Sequence, residues 1–291
     1  MIVLASLLFA TMGVCVKVAS SDYSAGEIVF YRGLVGAIAM ALVVRWQGGT
    51  LATRLPSMHF WRSASGVVSL CLWFYAIGNL PLATAMTLNY MSSVWMATFV
   101  IGGAVAMGGA RIDGRMIAIV LLGFAGVALV LRPTIEERQL WHGLMGLLSG
   151  MLAALAYLSV SALGRAGEPE VRVVFYFSVG GMIAGLALVP WTGLHAHTGR
   201  GLLLLLAVGA LATVAQFLMT RAYITGRTLV NASLQYLGIV FSFGYGVWLF
   251  DDRLTASAVF GMVLIVAAGL FATLLRSRSV VHDAARTPAE S

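Results

Sequence analysis

The chain has 291 residues, of which 60% are apolar and 10% are charged, and its formal net charge at pH 7 is +7. Ordinary soluble domains carry roughly 25% charged residues, because their surfaces must stay in contact with water. This composition excludes a soluble globular protein and predicts apolar surface that faces lipid. The basic residues lie singly between apolar runs and form no patch, arm or known binding module, which argues against nucleic acid as a partner.

Ten apolar segments follow one another along the chain, each close to the roughly 20 residues that a membrane-spanning helix needs. Polar and turn-forming residues separate them, except where the third and fourth segments meet at Asn79-Leu80-Pro81 in a predicted tight hairpin. The sequence therefore predicts an all-α integral membrane protein with ten transmembrane helices. The predicted spans are 2–19, 27–45, 61–79, 83–107, 115–132, 143–163, 172–190, 201–224, 229–250 and 255–275.

The distribution of basic residues predicts how the chain crosses the membrane. If both termini lie on one side, that side carries twelve of the 18 basic residues, the opposite side carries five, and Arg32 falls inside a span. Positively charged residues are enriched in cytoplasmic loops, so we expect both termini in the cytoplasm and the protein in a bacterial inner membrane. The twelve are Arg45, Arg54, Arg62, Arg111, Arg115, Arg165, Arg172, Arg221, Arg227, Arg276, Arg278 and Arg286.

Short motifs recur at a nearly constant offset. Val29-Phe30-Tyr31 returns 145 residues later as Val174-Phe175-Tyr176, and Leu88-Asn89-Tyr90 returns after 146 residues as Leu234-Gln235-Tyr236. This pattern predicts one five-helix repeat over residues 1–134, a second over 139–276, and a disordered cytoplasmic tail over 277–291. Because five is an odd number, the two repeats are inverted in the membrane. Inverted repeats are typical of secondary transporters that alternate access to a midplane site, although duplication can also produce a bundle without transport activity.

Several of these segments resemble the drug/metabolite transporter superfamily with two EamA-type repeats. The run from Gly13 to Lys17, together with Glu27 and Arg32, is similar to the family's first-helix lysine and second-helix pattern. Phe250-Asp251-Asp252-Arg253-Leu254-Thr255 is similar to its Gly-Glu-Arg-Leu-Thr segment. Asp252 replaces the usual glutamate, and the equivalent segment 109–113 lacks that acid. The content of aromatic residues most resembles YddG-type amino-acid exporters, which implies amino-acid export.

The predicted spans hold no Asp or Glu at their centres. A proton- or sodium-coupled carrier generally needs a buried carboxylate. We therefore expect a facilitator or exchanger that is driven by the gradient of its own substrate. A carboxylate at the end of a span is the exception that this argument leaves open.

The repeat-matched pairs Asn89-Tyr90 and Gln235-Tyr236 are the first candidates for substrate binding. An amide inside an apolar helix needs a partner, so either these side chains face a substrate or they bond neighbouring helices. Rings can hold an ammonium group and hydroxyls can hold a carboxylate, although interfacial aromatic belts explain such rings as well. The further candidates are Tyr75, Trp95, Tyr157 and Ser242.

Arg32 lies inside the second predicted span. We expect its head group to reach the outer interface, and the alternative is that it pairs with a substrate carboxylate. A single deep arginine argues against sugar-phosphate or nucleotide-sugar cargo, since phosphates favour several buried cations.

The predicted function is secondary transport, in the direction of export, of small neutral or zwitterionic metabolites, with amino acids favoured. An intramembrane enzyme is the main rival, but no catalytic cluster, cofactor motif or phosphate loop is visible. A channel is the third alternative. His195 and His197 have no third ligand nearby in the sequence, so we predict no metal site. The expected partners are a small-molecule substrate and the lipid bilayer; the oligomeric state stays open, and a monomer is compatible with transport.

Overall fold

The computed structural model describes residues 1–106, 137–225, 234–252 and 259–268 continuously, and individual positions at 115–129, 231, 255–257 and 270–274. The described residues form helices and no strand. We number the helices α1 (Ile2–Ala19), α2 (Ala25–Trp46), α3 (Pro56–Asn79), α4 (Leu82–Tyr90), α5 (Ser92–Ala106), α6 (Glu137–Arg165), α7 (Glu170–Thr192), α8 (Gly199–Thr225), α9 (Leu237–Phe250) and α10 (Val259–Ala268).

Six of the described helices are long and apolar enough to cross a membrane, namely α1, α2, α3, α6, α7 and α8. The expectation of an all-helical integral membrane protein is therefore confirmed. Most of the fifth predicted span and the tail over 277–291 lie outside the described residues.

The fourth predicted span is interrupted at Met91, between α4 and α5, and a similar interruption at Tyr236 precedes α9. At both places a backbone hydrogen bond joins two residues that are three positions apart, in place of the four positions of an α-helix. The N–H of Val94 donates to the carbonyl of Met91 at 2.9 Å, and that of Ile239 donates to Tyr236 at 3.0 Å. Such bonds tighten the helix locally, as in a 3₁₀ turn.

Glycines allow α2 and α7 to pack backbone against backbone. A Cβ on Gly33 would lie 2.3 Å from the nitrogen of Met182, and one on Gly185 would lie 2.4 Å from the nitrogen of Phe30. Only glycine permits this approach, which is how small residues bring membrane helices together. The other main contacts join α3 with α6, α1 with α8, α2 with α8, α4 with α9, α1 with α9, α4 with α6, and α3 with α7.

The junction between α3 and α4 consists of Leu80 and Pro81, and two charged residues hold it in place. The ammonium group of Lys17 donates to the Leu80 carbonyl at 2.7 Å, and the Leu82 N–H donates to Asp252 at 2.9 Å. Asp252 thus accepts a bond from an otherwise free amide at the start of α4, where a negative charge is favourable. Its carboxylate connects the end of α9 to this hairpin.

The close packing of α2 on α7 predicts a specific effect of Gly33→Ala. The added methyl group collides with backbone atoms of Met182, and we expect a loss of about 1–3 kcal/mol in stability. Gly244→Ala is the control, because no atom beyond its chain neighbours and its own helix backbone lies within 4 Å of its Cβ position and alanine favours helix by up to about 1 kcal/mol. Thermal unfolding in detergent compares the two variants, and equal or higher stability of Gly33→Ala would contradict this account of the contact.

Candidate functional site

A cavity lies where α1, α2, α3, α4, α6, α7 and α8 converge, together with Gln235 just before α9. The space inside it that can hold the centre of a water molecule measures about 50 Å³. Its polar or hydroxyl-bearing lining includes both charged and neutral groups, namely Arg32, Arg62, Ser69, Asn89, Tyr90, Tyr157, Gln216 and Gln235. Apolar and aromatic side chains complete the wall, among them Phe9, Leu70, Trp73 and Phe177.

Five of the nine residues that the sequence singled out line this cavity: Arg32, Asn89, Tyr90, Tyr157 and Gln235. The other four lie elsewhere. The Tyr75 ring contacts His142 with centroids 5.3 Å apart and an interplanar angle of 54°, and Trp95 stacks on Phe99 at 6.0 Å. Tyr236 is buried in the hydrophobic core, and the Ser242 hydroxyl donates to the carbonyl of Gly238 in its own helix.

The two cavity amides that the sequence predicted, Asn89 and Gln235, also bond neighbouring helices. The Asn89 amide donates to the Ser149 hydroxyl on α6 at 3.0 Å. The Gln235 carbonyl oxygen accepts from the Tyr223 hydroxyl on α8 at 3.1 Å. Each of these two side chains therefore bonds a neighbouring helix and also lines the cavity.

Two aromatic residues form one wall of the site. Tyr157 on α6 stacks on Tyr223 on α8 with ring centroids 5.5 Å apart and an interplanar angle of 12°. The stack is a rigid surface, and its Tyr157 member faces the cavity. Stacked rings of this kind hold a flat or cationic ligand group well.

Arg32 does not reach the membrane interface, so the expectation of a snorkelling side chain is wrong. Only 4% of the residue is exposed. Its guanidinium carbon lies 5.0 Å from the centroid of the Phe177 ring, and one nitrogen donates to the Gln216 side chain at 3.4 Å. Its Nε has no hydrogen-bond partner among the described residues. Its head group lines the cavity inside the bundle.

Arg62 is a cavity residue that the sequence reasoning counted among the topology-setting arginines. It is 2% exposed, and its guanidinium carbon lies 4.1 Å from the centroid of Phe177. A Cβ on Gly66 would lie 2.1 Å from Nη1 of Arg62, so this glycine makes room for the head group. The available signal was Pro56: proline favours the first position of a helix, and α3 begins there, which places Arg62 well inside the helix.

The carboxylates of the described residues lie at helix ends and loops, and none of them lines the cavity. At one end, Glu27 accepts from the backbone N–H of His195 at 2.8 Å and contacts its ring at 2.7 Å. Elsewhere, Glu168 pairs with Arg172 at 2.8 Å and accepts from the Thr53 hydroxyl. These contacts join the start of α2 to the α7–α8 connection, and the start of α7 to the α2–α3 connection.

The Glu168 carboxylate has a pKa below its usual value. Burial alone would raise this pKa, but the hydrogen bonds from Thr53 and Arg172 and the positive charge of Arg172 outweigh that effect. The carboxylate is therefore held in its charged form.

The fold and the cavity define a multi-pass membrane protein with a polar, cationic chamber inside a helical bundle. Residues 1–132 match the EamA-like transporter family. The chain is 33% identical to the pseudopaline exporter CntI of Pseudomonas aeruginosa (strain UCBPP-PA14), over 91% of this chain and 92% of that protein. It is 23% identical to an S-adenosylmethionine uptake transporter of Rickettsia bellii (strain RML369-C), over 84% and 82% of the two chains.

A solved crystal structure shares the fold, with a TM-score of 0.68 at 17% sequence identity, and the match covers 94% of this chain and 96% of the other. The chain thus belongs to the EamA-like transporter family of the drug/metabolite transporter superfamily. It is a transporter and not an enzyme.

The network at Glu168 predicts a pH-dependent contribution to stability. Because the pKa is lower in the folded protein than in the unfolded chain, the stabilisation is present above the unfolded pKa and is lost as the pH falls through the folded pKa. Glu168→Gln should cost about 1–3 kcal/mol at neutral pH, and the difference from wild type should shrink below about pH 4.5. Melting temperatures of the wild type and the variant between pH 3.5 and 7 measure this difference in stability.

The control is Glu170→Gln, whose partly exposed carboxylate lies 3.7 Å from Arg221. We expect it to cost less than about 1 kcal/mol, since exposed ion pairs contribute little. A loss of stability in Glu168→Gln that is the same at all pH values would contradict the ionic role of this carboxylate.

Proposed function

We propose that the protein is a secondary transporter of small, carboxylate-bearing zwitterionic metabolites, of which amino acids are the case that the sequence favours. Transport occurs by alternating access to the cavity. The observation that carries the proposal is the position of Arg32, a buried cation in a chamber that is also lined by amides and aromatic rings. Solute pockets in membrane carriers lie between helices at such places.

The proposal includes ten transmembrane helices in two inverted repeats, over residues 1–134 and 139–276. The helix contacts support it. In this arrangement helices α1 to α4 of the first repeat correspond in order to α6 to α9 of the second. The contact between α1 and α8 is then equivalent to the contact between α6 and α3. The contact between α1 and α9 is equivalent to the contact between α6 and α4, and all four contacts are present. The α2–α7 and α4–α9 contacts map onto themselves. The helix breaks at Met91 and Tyr236, 145 residues apart, agree with the same pairing.

Two sets of contacts are placed to close the cavity in turn. The Glu27–His195 contact joins the start of α2 to the α7–α8 connection. The Glu168–Arg172–Thr53 contacts join the start of α7 to the α2–α3 connection. In the inverted-repeat arrangement these are equivalent places on opposite membrane faces. Opening one set while the other stays closed exposes the site to one side at a time.

The lining suits a zwitterion. Arg32 and the amides of Asn89 and Gln235 offer donors to a carboxylate. The ring faces of Tyr90 and Tyr157 offer a surface to an ammonium group. Four residues that the sequence predicted as substrate ligands lie outside the cavity lining, namely Tyr75, Trp95, Tyr236 and Ser242. In the proposal they act at most through the residues that they pack against.

Because no described carboxylate lines the cavity, the proposed carrier is an uncoupled facilitator or exchanger. It works in a bacterial inner membrane with both termini in the cytoplasm and in the direction of export.

Counterflow in proteoliposomes tests the mechanism. With a panel of labelled amino acids, we expect saturable exchange that is the same with and without a pH gradient. Tyr90→Ala and Gln235→Ala should each reduce exchange by about 10-fold or more, because each removes a ligand from the cavity wall. The control Gln47→Ala removes an exposed amide at the end of α2 and should leave exchange unchanged.

Size-exclusion profiles and melting temperatures show whether the variants are folded. A strict requirement for a pH gradient would overturn the uncoupled mechanism. Unchanged exchange in both cavity variants would overturn the assigned site.

The inverted arrangement makes its own prediction. Gly49→Cys and Leu194→Cys place a thiol in the α2–α3 and α7–α8 connections, which are equivalent in the two repeats and exposed. Both changes are made in a variant that lacks Cys15 and Cys71. A membrane-impermeant maleimide applied to intact cells should then label the thiol at position 194 and not the thiol at position 49. Labelling of both positions from the same side would rule out inverted repeats.

A further inference from the structure

Arg32 and Arg62 approach the same aromatic ring from two different helices, α2 and α3. Their guanidinium carbons lie 5.0 and 4.1 Å from the centroid of Phe177, so they are no more than about 9 Å apart. Both head groups border the cavity. Two guanidinium groups within this limit can hold two carboxylates of one ligand and, where they approach each other more closely, the oxygens of one phosphate.

Little in the described part of the chain compensates the two charges. Arg32 donates one long hydrogen bond to Gln216, while Nε of Arg32 and both Nε and Nη1 of Arg62 have no hydrogen-bond partner among the described residues. The Phe177 ring offsets only a small part of the cost of burying two cations. Buried donors of this kind mark a place where a ligand completes the bonding.

The acids that could neutralise the pair are engaged elsewhere. Glu27 contacts His195, and Glu168 contacts Arg172 and Thr53. No Asp or Glu of the described residues lines the cavity. Within the described part of the chain, the chamber therefore carries two positive charges without a carboxylate partner, which favours a cargo with two negative charges over a neutral zwitterion.

The pair is confined to the first half of the chain. At the offset of 145 residues, the position equivalent to Arg32 is Phe177, the ring on which Arg32 lies. The second half contributes this ring and the amides of Gln216 and Gln235 to the wall. A bound anion is thus held on the first-half side, and the rest of the cargo faces the neutral groups of the second half.

We infer that Arg32 and Arg62 form a dianion site, which selects cargo with two carboxylates or with a phosphate monoester. The inference rests on the proposed function and narrows its substrate class. It also corrects the sequence argument against phosphate cargo, which assumed a single deep arginine. Doubly charged cargo and monocarboxylate zwitterions differ by one charged contact, and loss of such a contact corresponds to roughly 10- to 100-fold in affinity.

Matched acids and amides test the site. The probes are L-glutamate against L-glutamine, and O-phospho-L-serine against L-serine, with binding measured as thermal stabilisation of the purified full-length protein in detergent. We expect the wild type to bind at least one acidic probe about 10-fold or more tightly than its neutral partner. Stronger binding of phosphoserine identifies a phosphate as the second charge, and stronger binding of glutamate identifies a carboxylate.

Arg62→Gln should remove the preference by weakening the acidic probe roughly 10- to 100-fold while the neutral probe changes little. Arg62→Lys keeps the charge, tests for simple misfolding, and should restore part of the preference. Arg45→Gln removes an exposed arginine at the end of α2 and is the control that should bind like wild type.

Two results would overturn the inference. One is a wild type that shows no preference for either acid, and the other is an Arg62→Gln variant in which acid and neutral probes weaken by the same factor, as a packing role predicts. In both cases saturable counterflow of neutral amino acids would leave the proposed function standing. Failure of that counterflow with a preserved acid preference would refute the zwitterion proposal instead.

Discussion

The contact between α2 and α7 is the constraint on which the site depends. Gly33 and Gly185 remove the side chains that would separate the two backbones, so the first half of α2 touches the second half of α7. Residues on the facing sides of α2 and α7 are then in contact, and the guanidinium group of Arg32 lies over the Phe177 ring. A larger residue at either glycine would move these helices apart and, with them, one wall of the cavity.

The interior of the bilayer offers no water, so polar groups must find partners within the protein. Two neutral cavity groups do so: Asn89 bonds Ser149, and Gln235 bonds Tyr223. Among the described residues, the two arginines make one side-chain hydrogen bond, to Gln216, and three of their nitrogens have no partner. These two amides are therefore engaged within the protein, while donors of the two arginines remain available to a ligand.

The segments that resemble the superfamily contribute both to the cavity and to contacts outside it. Arg32 lines the cavity, whereas Lys17 contacts the α3–α4 junction and Asp252 accepts from Leu82. These contacts hold helices together and lie outside the cavity lining.

The sequence by itself determined that this chain is a helical membrane protein and a transporter, because apolar composition and short motifs are properties of single residues and their order. It also supplied Asn89, Tyr90, Tyr157 and Gln235, since polar or hydroxyl groups deep in apolar segments need a partner. It could not decide which way each side chain points. Tyr75 and Trp95 turn toward other rings, and Arg62 turns inward, because the direction depends on where the helix starts and how it crosses its neighbours. Only the tertiary structure fixes those crossing points, and it alone brought Arg32 and Arg62 to one ring.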